Sequence, residues 1–367
     1  MRIPHFIEKL SLPSLRANSA VGIDIGSSSI KAVEIISKGS GRGFDLKSFG
    51  TAMLPVEAIV QGAFLNPSAI VDGIREAIED GRVESRNAVV AVSGHSVIVK
   101  KVVVPFQTQA ELEEGICWEA EQHIPFDINE VHLDFQILEH GADDGQMEVL
   151  LVAAKKDLVA DYLQIIHEAG LTLSCIDVAA FAVENAFEAN YDHSEGENVA
   201  LVNVGAEVIN INVMHDGIPA FARDIAMGGN RHTEEIQKAL SIDFEQAERL
   251  KVAGEFPESV PDAGGEDVDA AVLGVTENII AEIGRSLDFY AATSTDGGIS
   301  RVMLSGGAIQ TGRFETMFRE RTGLEVERLN PLARMCSSCG VDPARLEELA
   351  PSLGVGVGLG LRTVGLS

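Results

Sequence analysis

The feature that most constrains this chain is a hairpin that it writes twice. Residues 21–35 read VGIDIGSSSIKAVEI and residues 200–214 read ALVNVGAEVININVM. Each begins with an apolar strand and a small acid or amide, Asp24 or Asn203. Each then has a glycine, Gly26 or Gly205, a short polar turn and a second strand. Apolar runs flanking Gly/Ser clusters are strand–turn–strand signals. A repeat at this distance implies two related halves rather than a short-period solenoid, and 367 residues are enough for two or more domains.

The rest of the chain alternates strands and helices, so the expected class is α/β. A third strand spans 43–54. A helix runs from Pro67 to Asp80 with Ile70, Ile74, Ala77 and Ile78 on one face, and a strand covers 88–93. Residues 96–170 read as an inserted unit. It consists of the strand SVIVKKVVVP, the helix QAELEEGICWEAEQHI ended by Pro125, the strands VHLDFQIL and MEVLLVAA, and a helix closed by Gly170. LTLSCID is a strand and VAAFAVENAFEAN a helix. After the second hairpin come the strand IPAFARDIA, then Gly228-Gly229-Asn230 leading into a helix. An exposed Gly/Pro/Glu/Asp loop is expected at 254–269, a long helix at about 270–292, RVMLSGGAIQ, a helix from Arg313 to Thr322, and SLGVGVGLGLR. Residues 1–19 lack a period. They read as a loosely ordered tail, with a short interaction arm as the alternative.

Lys and Arg total 28 against 56 Asp and Glu, a formal net charge of -28. Such a surface repels nucleic acid and anionic lipid and favours basic partner segments. No apolar run reaches the roughly 18–20 residues that span a bilayer. The N-terminal stretch, broken by two prolines and Glu8-Lys9, is not read as a signal peptide. The expected location is the cytosol.

The chemistry is expected in the turns. Gly26 permits a tight turn with exposed N–H groups, Ser27, Ser28 and Ser29 add hydroxyls, and Lys31 adds charge: a cradle for phosphate oxygens. An ordinary Gly/Ser hairpin has the same pattern. Asp24 would hold water on a divalent cation. Asn203, Gly205 and Ala206 repeat this turn, and the two together suit a triphosphate held between lobes. Gly306-Gly307 at a strand end allow a base or ribose close to the backbone. Glu248 and Lys251 share a helix face, either as a solvated pair or as an adenosine contact.

The set DIGSSSIK, NVGAE, GGN, AERLK and SGGA resembles the actin-like ATPase superfamily and, within it, the PilM family of type IV pilus assembly, with the FtsA cell-division family next. The match covers about residues 20–361. The resemblance implies an actin-like (ribonuclease H-like) two-lobed fold with an inserted strand–helix–strand–strand subdomain in the first lobe. It implies a first-lobe core at 20–95 and 171–198, the inserted subdomain at 96–170, a second-lobe core at 199–230 and 300–367, and an outer subdomain at 231–299. It implies ATP and Mg2+ as ligands, the metal held by Asp24 through water. Gly228 and Gly229 would line the cleft, Glu248 and Lys251 the adenosine edge, and Gly306 and Gly307 the adenine pocket. Helices at 178–190 and 352–361 would connect the lobes, the run GVGVGLG allowing close packing.

The same resemblance implies a scaffold at the inner membrane, needed for pilus biogenesis and twitching motility. It would bind the cytosolic N-terminal peptide of PilN between the first lobe and the inserted subdomain. Pilus ATPases and copies of the chain itself, in a ring or oligomer, are further implied partners; nucleic acid and direct membrane insertion are not. Two departures point to slow or absent hydrolysis. Asn203 stands where many relatives have Asp, and Ala179-Ala180 stand where relatives often have an acid followed by Pro. The alternatives are an FtsA-like division scaffold, which would end in a basic amphipathic helix where this chain has GLRTVGLS, and a sugar-kinase-type phosphotransferase, for which no base is found. Cys336-x-x-Cys339 lacks two further ligands for zinc and is read as a pair of packed thiols. Trp118 is read as core, and the acidic helix that carries it as solvated.

Overall fold

The computed structural model describes residues 20–38, 43–140, 145–254, 265–295, 297–311, 313–337 and 340–362. The expected tail at 1–19, Cys339 and most of the expected loop at 254–269 lie outside them.

The first lobe opens with β1 (Val21–Ile25), β2 (Ser29–Ser37), β3 (Phe44–Met53) and a short hairpin of β4 (Ile59–Val60) and β5 (Ala63–Phe64). Helix α1 (Pro67–Asp80) starts where the Asn66 side chain accepts from the Ala69 N–H and Pro67 supplies a preset φ. Its stripe of Ile70, Ile74, Ala77 and Ile78 is buried on the sheet, as the spacing predicts. The chain continues through β6 (Asn87–Val92) into the inserted unit: β7 (Val97–Pro105), α2 (Gln109–Glu121), β8 (Val131–His140), β9 (Gln146–Lys155) and α3 (Lys156–Glu168). Strands β7, β9 and β8 form an antiparallel sheet in that order, with Leu112, Ile116 and Ala120 of α2 in its core. The Thr108–Glu111 capping box starts α2. Strand β10 (Thr172–Val178) then returns to the first sheet and α4 (Ala179–Asn190) leaves it.

The second lobe contains β11 (Asn198–Val204), β12 (Ile209–His215), β13 (Ile218–Ile225), α5 (Asn230–Leu240), α6 (Phe244–Ala253), α7 (Gly265–Thr293), β14 (Arg301–Ser305), α8 (Phe314–Thr322) and β15 (Glu325–Arg328). Helix α7 begins at Gly265, so residues 265–269, expected in a loop, form its start. Glu266 and Asp267 suit the positive end of the helix dipole there.

The duplication extends to strand order. The first sheet runs β10-β6-β1-β2-β3 and the second β15-β14-β11-β12-β13. In both, the first hairpin strand pairs antiparallel with its partner and parallel with a later strand, β6 or β14. The hairpins also match in register. Asp24 faces Lys31 and Ile25 faces Ile30; Asn203 faces Asn210 and Val204 faces Ile209.

One part of 300–367 departs from the second-lobe core expected there. β16 (Cys336–Ser337) pairs parallel with β3 at the edge of the first sheet. After α9 (Pro343–Leu349), α10 (Gly354–Leu361) packs on β1, β2 and α4. Glycines allow this approach. A Cβ on Gly358 would lie 1.7 Å from the Ala182 carbonyl oxygen, and one on Gly22 would lie 2.4 Å from that of Gly356. The expected close packing of GVGVGLG against its partner helix is therefore observed. A buried cluster containing Ala182, Val183 and Phe187 of α4 with Leu201, Met303, Val355 and Leu359 joins the two lobes.

Two smaller expectations are corrected. Trp118 is 69% exposed, on the face of α2 away from its buried stripe. Cys336 is exposed on an edge strand rather than packed.

Candidate functional site

The two hairpin turns open into one cleft of about 840 Å³ between the lobes. The glycine closes each turn in the same way: Gly26 N–H donates to Ser29 O at 3.1 Å, and Gly205 N–H to Val208 O at 3.0 Å. A Cβ on Gly26 or Gly205 would lie 3.1 or 2.9 Å from that same carbonyl oxygen. The amides of Ser27, Ser28, Ala206 and Glu207 donate to no other described residue. Each turn thus presents two adjacent N–H groups, an arrangement suited to anionic oxygens.

Asp24, Gly26, Ser27, Ser28, Ser29 and Lys31 line the cleft on the first-lobe side, and Asn203, Gly205 and Ala206 on the other. Gly229, Glu248, Lys251, Gly306 and Gly307 line it as well. Gly228 is the exception. A Cβ there would lie 2.4 Å from Gly205 O, so Gly228 lets the start of α5 pack on the second turn, and it borders a neighbouring cavity instead. Gly306, at φ +96°, is similarly committed, with its Cβ direction 2.2 Å from Val204 O. Gly307 has no atom within 4 Å of that direction, so its free side is open.

The charges are paired. Lys31 Nζ lies 3.3 Å from Asp24 Oδ2 across the ladder, both side chains mostly buried. Lys251 Nζ lies 2.6 Å from Glu248 Oε2 and donates to Thr233 Oγ1 at 2.9 Å, and Thr233 donates to Glu248. This pair is a built, part-buried cluster rather than a solvated one. Among the described residues no group of three or more His, Cys, Asp or Glu could hold a metal ion. A cation here would rely on Asp24, water and the oxygens of a bound anion.

Behind the second turn lies a polar relay of residues that are not among the expected site residues, Asn203 excepted. Ser305 Oγ donates to Asn203 Oδ1 at 3.3 Å, Asn203 Nδ2 to Asn210 Oδ1 at 3.0 Å, and Asn210 Nδ2 to Asp224 Oδ1 at 2.8 Å. The Gly94 N–H of the first lobe donates to Asp224 Oδ2. Burial raises the Asp224 pKa, and the hydrogen bonds from Asn210 and Gly94 oppose that rise. A second contact across the cleft joins the Gln61 N–H to Glu207 Oε2 at 2.9 Å. One local signal existed: Ser93-Gly94 and Ser305-Gly306 stand at the ends of matching strands, each glycine with positive φ.

Two lobes of one duplicated design, closing on paired glycine turns and carrying an inserted subdomain in the first, define an actin-like protein. The chain belongs to the type IV pilus assembly protein PilM family, whose model matches residues 22–364. A solved PilM–PilN type IV pilus biogenesis complex is 27% identical, with a TM-score of 0.84, over 95% of this chain and 99% of that one. Cell division protein FtsA of Bacillus subtilis (strain 168) is 24% identical over 255 residues, 63% of this chain and 57% of that protein's length. The ethanolamine utilization protein EutJ of Carboxydothermus hydrogenoformans shares the fold, at 15% identity and a TM-score of 0.56 over 97% of this chain and 94% of that one. No helix among the described residues is long and apolar enough to cross a membrane.

Proposed function

We propose that this chain is a nucleotide-binding scaffold of the type IV pilus inner-membrane assembly, taking ATP with Mg2+ between its lobes and the N-terminal peptide of PilN on its surface. The observation that carries the nucleotide reading is the pair of register-matched turns, each offering two unpaired N–H groups to one cleft. Ser27 to Ser29 and Lys31 would meet phosphate oxygens from one lobe, and Gly205 and Ala206 from the other. Lys251 and Glu248 would face the sugar, and the open side of Gly307 would admit the base. Asp24 would orient water on the metal. Bound ATP would supply the charge that draws the two turns together. Binding that favours the closed form stabilises it by mass action.

Asn203 adds no charge to the cleft, and its amide is already committed to Ser305 and Asn210. This supports a structural rather than a consumed nucleotide, with hydrolysis slow or absent.

The partner reading rests on the PilM–PilN similarity and on a cavity of about 610 Å³ where the first lobe and β7 of the inserted subdomain meet β13 and the start of α5 in the second lobe. Val60, Val97, Val99 and Met227 line it, next to the outer edge of β7. An extended peptide would pair with such an edge and seat apolar side chains. Docking to pilus ATPases, self-assembly and a role in twitching motility belong to the same proposal.

ATP and Mg2+ titrated into wild-type protein and Asp24→Ala test the cleft. The variant is expected to lose the Mg2+-dependent part of its ATP affinity, on the order of tenfold. Equal Mg2+ dependence in both would remove the assignment. A fluorescent peptide of the PilN N-terminus, titrated separately, tests the partner.

A further inference from the structure

We infer that the outer face of α2 is a docking surface for a cationic segment of a partner protein. Trp118, the one tryptophan of the chain, is 69% exposed there. An indole left so far in water is unfavourable unless something covers it, and tryptophan is the residue type most enriched among interface anchors. Glu114 lies four residues before Trp118 and Glu121 three after, so the three share one face. Neither glutamate has a partner among the described residues. The helix carries five glutamates and no basic residue.

Gly115 adds an independent observation. It lies inside the helix, three residues before Trp118, and a Cβ there would meet nothing within 4 Å. Glycine in a helix interior is destabilising relative to alanine, and no packing among the described residues requires it. It leaves a notch beside the indole for a closely approaching partner.

Charge selects the occupant. A second copy would bring the same five glutamates, within a chain of net charge -28, against this face. Anionic lipid is repelled in the same way. A segment with Arg or Lys two helical turns apart spans the roughly 10 Å from Glu114 to Glu121. Between them it can place an apolar side chain or an arginine on the indole. This surface lies on the inserted subdomain, and the inference stands apart from the cleft reading.

The probe is a fluorescein-labelled synthetic amphipathic peptide with Arg at two positions seven apart flanking Leu, followed by anisotropy. A copy with both Arg replaced by Glu is the control. In unlabelled form the Arg peptide should also shift the emission of Trp118, the chain's one indole. Trp118→Ala and Glu114→Lys/Glu121→Lys are each expected to weaken binding by about tenfold or more. Asp269→Lys/Glu277→Lys on α7 makes the same change in net charge and should alter it by less than about twofold. Gly115→Ala should weaken binding while raising the thermal midpoint. Equal loss in the α7 variant would reduce the effect to bulk charge and overturn the inference. Unchanged affinity in Trp118→Ala, or self-association abolished by that variant, would overturn it as well.

Discussion

Arg362 grips Asp177 through two hydrogen bonds, Nε to Oδ2 at 2.7 Å and a terminal nitrogen to Oδ1 at 3.2 Å, with both side chains almost wholly buried. Asp177 is the penultimate residue of β10, two before α4 begins, and Arg362 directly follows α10. The pair therefore ties together the two helices that cross between the lobes. Burial alone would lower the Arg362 pKa, but the Asp177 charge beside it overrides that, and the net direction is upward.

Breaking this pair on one side should be costly. Arg362→Ala leaves a buried, unpaired carboxylate and is expected to lower unfolding stability by about 3–5 kcal/mol. Asp177→Asn/Arg362→Met removes both charges and should recover most of the loss. A double-mutant cycle in urea reads the difference, and additive losses would show the two side chains to be uncoupled.

The relay behind the second turn has a fixed polarity. Asn203→Asp sets a carboxylate against Asn210 Oδ1. Turning the Asn210 amide only transfers the conflict to Asp224. The expected cost is roughly 1–3 kcal/mol at pH 7. Adding Asp224→Asn lets the reversed amide pair again, so the double variant should be the more stable of the two. Chemical denaturation of both variants decides the point.

Two helix glycines should respond in opposite directions to alanine. Gly358→Ala forces a methyl against the Ala182 backbone and should cost at least about 3 kcal/mol. Gly115→Ala meets open space and should gain about 0.5–1 kcal/mol. Thermal midpoints of the two variants provide the comparison.

His232 makes acid stability predictable. Thr276 Oγ1 donates to Val272 O, so His232 Nε2–H must donate to Thr276, and Nδ1 is left unprotonated and without a partner. Burial and the nearby Lys251 charge lower the His232 pKa from 6.5 to about 4. The unfolded chain takes up the proton first, so this contribution is whole above pH 6.5 and is lost as pH falls towards 4. The loss is on the order of 3 kcal/mol. His232→Gln keeps a donor to Thr276 and does not titrate. Its stability should fall less over that interval than wild type in urea titrations at pH 7 and pH 4.5.

Burial and the neighbouring Glu188 charge raise the Glu184 pKa well above its usual value, against the hydrogen bond from Asn212 Nδ2. A raised acid favours the fold most below the unfolded value, near 4.5, and that advantage is lost as pH rises. Glu184→Gln, which still accepts from Asn212, should raise the melting temperature at pH 8, with the gain shrinking towards pH 5.

Trp118 shows where local legibility ended. Leu112, Ile116 and Ala120 recur at helical spacing and mark the buried face of α2, and Trp118 lies off that face. Its apolar character alone suggests core, and its position relative to that stripe is what puts it in solvent. The acids at 266 and 267 suit an exposed loop by composition and equally suit a helix start, which is where the structure has them.

The sequence by itself determined the two hairpins, the helices with a clear apolar stripe, the inserted unit and the glycine turns. Each of these depends on residues a few positions apart, where periodicity and φ preferences act. Only the tertiary structure decided that the turns share one cleft, that β16 and α10 return to the first lobe, and that Asp177 meets Arg362 across 185 positions. It also aligned Ser305, Asn203, Asn210, Asp224 and Gly94 into one relay. Such contacts are settled when backbones approach closely enough to exclude water, and no short-range pattern encodes that approach.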